Sequence, residues 1–297
     1  MNIHERSDNR VARSHMARET LNILERGFYT TPSGSRVDLG EAVRRAVEGS
    51  KLYTPDELPR IQEKALARLD VNTQESGETG GPRIEVTGET TLQAVRRLVE
   101  QEGRADTLCL NFASAKNPGG GFLGGSQAQE ESLARSSALY PCIAQMTEMY
   151  AYNRERKSCL YSHHMIYSPD VPVLREDDGT LLERPHLVSM ITAPAVNAGV
   201  VRERGFEDSS LIEPVMLERI RYILSLAASH GHRTLVLGAF GCGVFRHVPA
   251  DVARQFGQVL TEEKYGRLFD LIVFAVYDRT VNQQVLGAFQ VQFGFSS

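Results

Sequence analysis

The chain has 297 residues, 41% of them hydrophobic and 24% charged, with a formal net charge of −4 and no tryptophan. That composition is ordinary for a soluble globular protein of one large domain, or one domain with an extension. The acidic balance excludes a bulk electrostatic grip on DNA or RNA, which needs a basic surface, though not a local basic pocket for a small anion. No stretch approaches the ~20 apolar residues of a membrane span. The opening Met-Asn-Ile-His-Glu-Arg lacks a signal-peptide pattern. Cys109, Cys142, Cys159 and Cys242 include no CxxC pair, so no zinc knuckle or thioredoxin-like motif is expected. They read as reduced thiols, and the expected location is cytoplasmic.

In chain order, 9–26 places Val11, Met16, Leu21, Ile23 and Leu24 among charges, the pattern of an amphipathic helix. β-type residues flank Pro32-Ser33-Gly34 over 28–39, a hairpin signal. Short helices follow at 41–49 and 60–70. Residues 72–82 contain no large apolar side chain, which predicts a linker or an exposed loop. Beyond it the rhythm changes: strands at 83–87, 107–112, 187–196, 234–237 and 271–276 alternate with helices at 91–102, from about 127, and at 211–230, 250–263 and 281–290. That alternation predicts an α/β domain over 81–297 with a largely parallel sheet flanked by helices, preceded by a mainly helical extension over 1–80. There is no internal repeat.

Two glycine-rich loops each follow a predicted buried strand and lead towards a helix. The first is Asn117-Pro118-Gly119-Gly120-Gly121-Phe122-Leu123-Gly124-Gly125; the second is Gly238-Ala239-Phe240-Gly241-Cys242-Gly243-Val244-Phe245. Ligands of open α/β sheets bind at the carboxyl ends of strands. Glycines there let backbone N–H groups approach a phosphate, and helix N-termini favour anions. The alternative for either loop is a tight turn; the pair together suggests a diphosphate held between them. Neither loop has the Gly-Lys-Ser/Thr of a Walker motif.

Directly after the first loop, Ser126 and Gln129 have capping-box spacing, which predicts Ser126 as the N-cap of a helix carrying Glu130 and Glu131 in its first turns. Adjacent helical residues point about 100° apart, so the two carboxylates are not expected to face each other across a bond as in two-carboxylate glycosidases. They read as dividing two jobs, one holding substrate and the other moving a proton. The alternative is that both merely complement the helix dipole.

Gly119-Gly120-Gly121, seven residues, then Gln129-Glu130-Glu131 resembles the signature of poly(ADP-ribose) glycohydrolases. Leu110-Asn111-Phe112-Ala113-Ser114 and Gly241-Cys242-Gly243-Val244-Phe245 are similar to the same family. The chain looks like the compact bacterial type, a macrodomain with a short N-terminal extension. The resemblance implies that Glu131 is the general acid protonating the leaving ribose hydroxyl, then the base for water, and that Glu130 holds ribose hydroxyls. Gly119, Gly120 and Gly121 would bring backbone against the terminal ribose and diphosphate. Gly241 and Gly243, with Cys242 and Val244 between and after them, would face the diphosphate from the other side. Phe245 would pack near the terminal ribose, and Gln129 would support the loop. Where animal enzymes place an asparagine five residues before the glycines, this chain has Ser114; Asn117 lies closer and is the substitute candidate.

The implied substrates are poly(ADP-ribose) and ADP-ribosylated proteins, with water as co-substrate, no metal or redox cofactor, no membrane and no sequence-specific nucleic acid. Exo action is implied, with residues within 1–75 closing off the far side of the ribose. A reader without turnover and a mono-ADP-ribosyl hydrolase share the same pocket, and an unrelated nucleotide-binding α/β protein remains the bland alternative. A protonated Glu131 requires a raised pKa from burial or neighbouring anions, against the pull of the helix N-terminus.

Other residues have two readings each. Cys242 is a nucleophile or a small packing residue; His163-His164 are a metal pair or strand neighbours on opposite faces. Arg154-Glu155-Arg156-Lys157 is a solvated face or a contact for polymer phosphates. Tyr150, Tyr152, Tyr161 and Tyr167 are core or adenine-stacking rings, and Asn197 faces the ligand or ends a strand.

Overall fold

A computed structural model describes residues 3–76, 81–205 and 208–294, with side chains described from residue 9 and not at 70–76. The extension runs α1 (Ile3–Arg26), β1 (Phe28–Thr30), β2 (Arg36–Asp38), α2 (Gly40–Gly49), β3 (Lys51–Tyr53) and α3 (Leu58–Ser76). The remainder runs β4 (Arg83–Thr87), α4 (Thr91–Arg96), β5 (Thr107–Phe112), α5 (Gln129–Ser136), α6 (Leu139–Ala144), α7 (Thr147–Glu155), β6 (Met165–Arg175), β7 (Leu181–Ala193), α8 (Ala198–Arg204), α9 (Ile212–Ser229), β8 (Thr234–Leu237), α10 (Pro249–Gly257), β9 (Leu271–Ala275) and α11 (Gln284–Gln292). Apart from the β1–β2 hairpin, the strands form one seven-stranded sheet in the order β3-β6-β7-β5-β8-β9-β4. The run from β7 to β4 is parallel, and β3, β6 and β7 pair antiparallel.

The central strands read as unbroken apolar runs because both faces are covered. Leu108, Leu110, Leu235, Leu237, Ile272 and Phe274 point into the core beneath α3, α9, α10 and α11. Cys109, Val236, Val273 and Met190 point into the opposite core, beneath α2 and α4 to α7. Side chains alternate across each strand, so one sequence run feeds two cores. Each such fully buried aliphatic or aromatic side chain is worth about 1.5–3 kcal/mol in area removed from water.

Four expectations need correction. Residues 72–76 continue α3, and 77–80 lie outside the described residues. The extension is joined to the rest, because β3 pairs with β6 at the sheet edge. The strand expected over 187–196 begins at Leu181 and ends at Ala193. Its first half carries Glu183, Arg184 and His186, which hide it from a hydrophobicity reading, and it pairs across a hairpin with the unexpected β6. Within β6, Ser168-Pro169-Asp170 resembles a turn; it is a break in register, with Asp170 at φ +44°.

The fourth correction concerns Ser126, which is not an N-cap. Helix α5 begins at Gln129 after an extended Ala128, with no side-chain cap. A capping box does lie at α4, where the Thr90 side chain accepts from the Gln93 N–H and the Gln93 side chain accepts from the Thr90 N–H. Gln129 has other work, described below.

Candidate active site

Strand β5 ends at the centre of the sheet, and the chain turns over its carboxyl end through 114–121. Gly119 and Gly120 have φ of +69° and +57°, the left-handed region that glycine enters without strain. The turn is closed by Gly120 N donating to the Asn117 carbonyl (3.0 Å) and Phe122 N donating to the Gly119 carbonyl (3.2 Å). Space is as restrictive as backbone angle. A Cβ on Gly120 would lie 2.5 Å from Glu131 Oε1 and 3.3 Å from Glu130 Oε2. Both carboxylates therefore lean over one glycine. They come from adjacent positions of one helix, yet converge on the same patch of backbone.

Their surroundings differ. Glu130 is 2% exposed; its Oε2 accepts from Ser114 N (2.7 Å), and its Oε1 lies 3.4 Å from Asn111 Nδ2. Burial, reinforced by the charge of Glu131, pushes the Glu130 carboxyl up to about 8, against the opposing Ser114 N–H. Glu131 is half-buried, and its Oε1 accepts from Gly121 N (3.0 Å).

Gln129 fixes the helix to the strand. Its Oε1 accepts from Phe112 N (2.9 Å), and its Nε2 donates to the Leu110 carbonyl (2.7 Å) and to Thr91 Oγ1 (3.1 Å). A side-chain amide thus continues the ladder at the end of β5, and a shift of Gln129 would carry both glutamates with it. Behind them, buried Arg135 donates to the Ser126 carbonyl (2.7 Å) and Gln127 Oε1 (2.8 Å). Burial lowers its pKa to about 10, which leaves it a cation at neutral pH.

Helix α1 braces the same turn from outside. Arg10 Nε donates to the Gly124 carbonyl (2.8 Å), Arg13 Nε to the Gly125 carbonyl (2.8 Å) and Ser14 Oγ to the Leu123 carbonyl (2.6 Å). A Cβ on Gly125, at φ +75°, would overlap the Arg10 carbonyl oxygen.

The second glycine loop follows β8. Gly241 has φ +81°, and a Cβ there would lie 2.7 Å from His247 Cδ2 and 2.8 Å from Ala195 Cβ. His247, buried, meets the Val196 carbonyl through Nε2 (2.7 Å) and so pins this loop to the end of β7. Around Gly243, by contrast, there is open space. Burial drives the Cys242 thiol up to about 12, so it is not a thiolate and the packing reading holds. Val244 is 77% exposed. Phe245 leans on Tyr161, with ring centroids 5.8 Å apart.

Beside the second loop and the start of α5 opens a cavity of about 480 Å³, which no residue of 117–125 and neither Glu130 nor Glu131 lines. Gln129, Phe112, Cys242 and Gly243 line it on the sheet side; Thr90, Gln127 and Asp177 line one wall, and Tyr277, Asp278 and Val285 another. That volume suits a nucleotide-sized ligand. Among the residues of the extension whose side chains are described, none lines this cavity, and α1 contacts the 123–125 turn.

The remaining candidates resolve into supporting roles. Asn197 Oδ1 accepts from Val200 N and caps α8. His163 pairs with Glu218 (3.1 Å), and His164 Nδ1 meets Ser162 Oγ (2.8 Å). Tyr150, Tyr161 and Tyr167 are buried, and Tyr152 is exposed. Asn117 is exposed, with its N–H on Ser114 Oγ (3.2 Å). Sequence reasoning missed Asn111 as a site residue. It is the one polar residue in the interior of an apolar strand and buried completely, which was a usable signal. It missed Arg219 altogether. This fully buried guanidinium donates to the carbonyls of Pro194, Leu160, Tyr161 and Ser162 (2.9–3.2 Å), and so holds Tyr161, at φ +56°, against Phe245.

A two-sided, mostly parallel sheet with paired glycine turns at its carboxyl edge, and an acidic pair over one of them, defines a macrodomain-like α/β enzyme. The comparisons agree. Residues 17–176 match the family model of the microbial-type PARG catalytic domain. The poly(ADP-ribose) glycohydrolase of Thermomonospora curvata is 43% identical, with a TM-score of 0.87 over 95% of this chain and 99% of that one. Its complex with the inhibitor ADP-HPD matches at 44% identity over the same shares, with a TM-score of 0.85. The Deinococcus radiodurans enzyme in complex with ADP-ribose is 44% identical, with a TM-score of 0.78 over 86% of this chain and 98% of that one. A search of curated proteins found no match. The chain belongs to the microbial-type poly(ADP-ribose) glycohydrolase family.

Proposed function

We propose that the protein hydrolyses the ribose–ribose O-glycosidic bonds of poly(ADP-ribose) and releases ADP-ribose from the chain terminus. The observation that carries this reading is the convergence of Glu130 and Glu131 on Gly120, beside a cavity of nucleotide size. The nucleotide half of the terminal unit occupies the cavity, its diphosphate lies between Gly119–Gly121 and Gly241–Gly243, and its distal ribose sits beneath the carboxylates, with Phe245 alongside. Glu131, the more accessible carboxyl, donates a proton to the departing ribose oxygen and then takes one from water. The oxocarbenium-like centre is stabilised by the neighbouring phosphate charge.

Burial keeps a proton on Glu130 up to about pH 8. Ribose hydroxyls donating to Glu130 favour the ionised form of that residue, which shifts the proton to Glu131, where the leaving oxygen needs it. Glu130 thus acts as binding group and as the store of the catalytic proton.

Residues 1–80 are assigned as an accessory segment and 81–297 as the catalytic domain, the segment acting by bracing the 122–125 turn. Four free thiols, two of them fully buried, fit a cytoplasmic location; no described helix is long and apolar enough to cross a membrane.

The test is the product pattern from defined poly(ADP-ribose). Free ADP-ribose from the first turnover, with resistance of polymer whose terminal 2′-hydroxyl is blocked, is expected. Early release of oligomers would replace exo with endo action. Turnover only of singly modified proteins would move the assignment to a mono-ADP-ribosyl hydrolase, and binding without turnover to a reader.

A further inference from the structure

The 154–157 charge run finds no use in the chemistry described above, yet the fold brings it to the catalytic turn. Arg154, in the last turn of α7, donates through Nη1 to the Lys116 carbonyl (2.5 Å). Lys116 is four residues before Gly120, and its Nζ lies 6.0 Å over the Tyr161 ring. Tyr161 in turn packs on Phe245. Among the described residues, no carboxylate lies within ion-pair distance of Lys116, Arg154, Arg156 or Lys157. Elsewhere on the surface, Arg44, Arg96, Arg97, Arg221, Arg233 and Arg254 each engage a carboxylate.

Position supplies the rest of the argument. The cavity that suits the nucleotide is lined by Cys242 and Gly243 but by neither Phe245, Tyr161, Lys116 nor Arg154. The succession Gly243, Phe245, Tyr161, Lys116, Arg154 therefore leads away from the cavity, to the chain segment that enters the glycine turn under the carboxylate pair. We propose that Lys116 and Arg154, flanked by Arg156 and Lys157, form a cationic ledge that holds the diphosphate of the ADP-ribose unit on the leaving side of the scissile bond. This rests on the glycohydrolase reading. Unpaired surface cations held by the fold are suited to a phosphate-rich chain, whose binding is then salt-dependent in proportion to the phosphates contacted. A rim contact of this kind governs capture of polymer and leaves the bond-breaking step unchanged.

The experiment compares wild type with Lys116→Gln, Arg154→Gln, the double variant and Arg154→Lys. Two substrates are used: a dimer of ADP-ribose, and an ADP-ribosyl aryl glycoside whose leaving group carries no phosphate. The double variant is expected to raise KM for the dimer about tenfold and to flatten its dependence on salt. kcat for the dimer and both constants for the aryl glycoside stay unchanged, and Arg154→Lys retains the wild-type salt slope. An unchanged KM and salt slope for the dimer would overturn the ledge. So would an equal loss on both substrates, which would mean that Arg154 acts through the Lys116 backbone on the glycine turn. Failure of the wild type to cleave the dimer at all would instead overturn the glycohydrolase reading itself.

Discussion

At the scale of single residues, the account turns on two adjacent glutamates with unlike surroundings. Gly120 tests their convergence. Gly120→Ala would place a methyl group against both carboxylates at a backbone angle alanine resists. We expect activity on poly(ADP-ribose) to fall by at least about a hundredfold, with the global fold kept, since positioning errors of about 1 Å carry losses of that size. Circular dichroism and initial rates check both halves of this expectation. Glu130 tests the electrostatics. Its folded pKa, about 8, lies above the ordinary 4.5, so the folded state binds that proton more tightly than the unfolded chain does. The stability it contributes is full below the unfolded value and is lost as pH rises towards the folded one. Glu130→Gln removes the titration and leaves a neutral group in the same space. Urea unfolding from pH 5 to 8.5 should find the variant gaining on wild type by roughly 3–5 kcal/mol across that window; a constant difference would place the raised pKa elsewhere. The same Glu130 proton predicts that kcat/KM falls as pH rises past about 8.

Much of this site was legible because catalytic groups at strand ends must be carried by short, sterically demanding turns. Gly119, Gly120 and Gly241 announce such turns through spacing and composition. What could not be read was division of labour within a motif. Gln129 had the spacing of a capping residue and serves as a backbone surrogate at the end of β5, while the spacing at Thr90 and Gln93 that does cap passed unremarked. Asn111 and Arg219 act through carbonyls and carboxylates distant in sequence, contacts that local pattern does not encode.

At the scale of elements, α1 is the brace. Three of its side chains donate to consecutive carbonyls, 123, 124 and 125, and Arg175 ties it to the β6–β7 hairpin through Thr20 Oγ1 (3.0 Å) and Glu19 (2.8 Å). These are exposed or half-exposed bonds of modest individual worth, about 1 kcal/mol each. Their effect falls on the order of the turn. Arg10→Ala with Arg13→Ala should lower the melting temperature by only a few degrees, about 2–4 °C per kcal/mol for a chain of this size, and reduce kcat/KM on polymer by about tenfold. A large fall in melting temperature with little kinetic effect would make α1 a purely structural element. The central strands were read correctly because burial on both faces leaves continuous apolar runs. The antiparallel half was not, because Ser168-Pro169-Asp170 interrupts β6 and the start of β7 carries exposed Glu183 on Ser33 and buried His186 beside Glu100.

At the scale of the whole molecule, the sheet order places β5 at the centre, with β7 and β8 beside it. The three strands deliver Asn111, the 194–197 segment pinned by His247, and the second glycine loop to one edge. The central claim is that this edge breaks a glycosidic bond with Glu131 as the proton donor. The most direct measurement is ADP-ribose release from poly(ADP-ribose) by wild type and Glu131→Gln, with the affinity of each for ADP-ribose determined by calorimetry. The account predicts release by wild type alone, with affinities equal within a few-fold. Release by Glu131→Gln at a rate near that of wild type would contradict it.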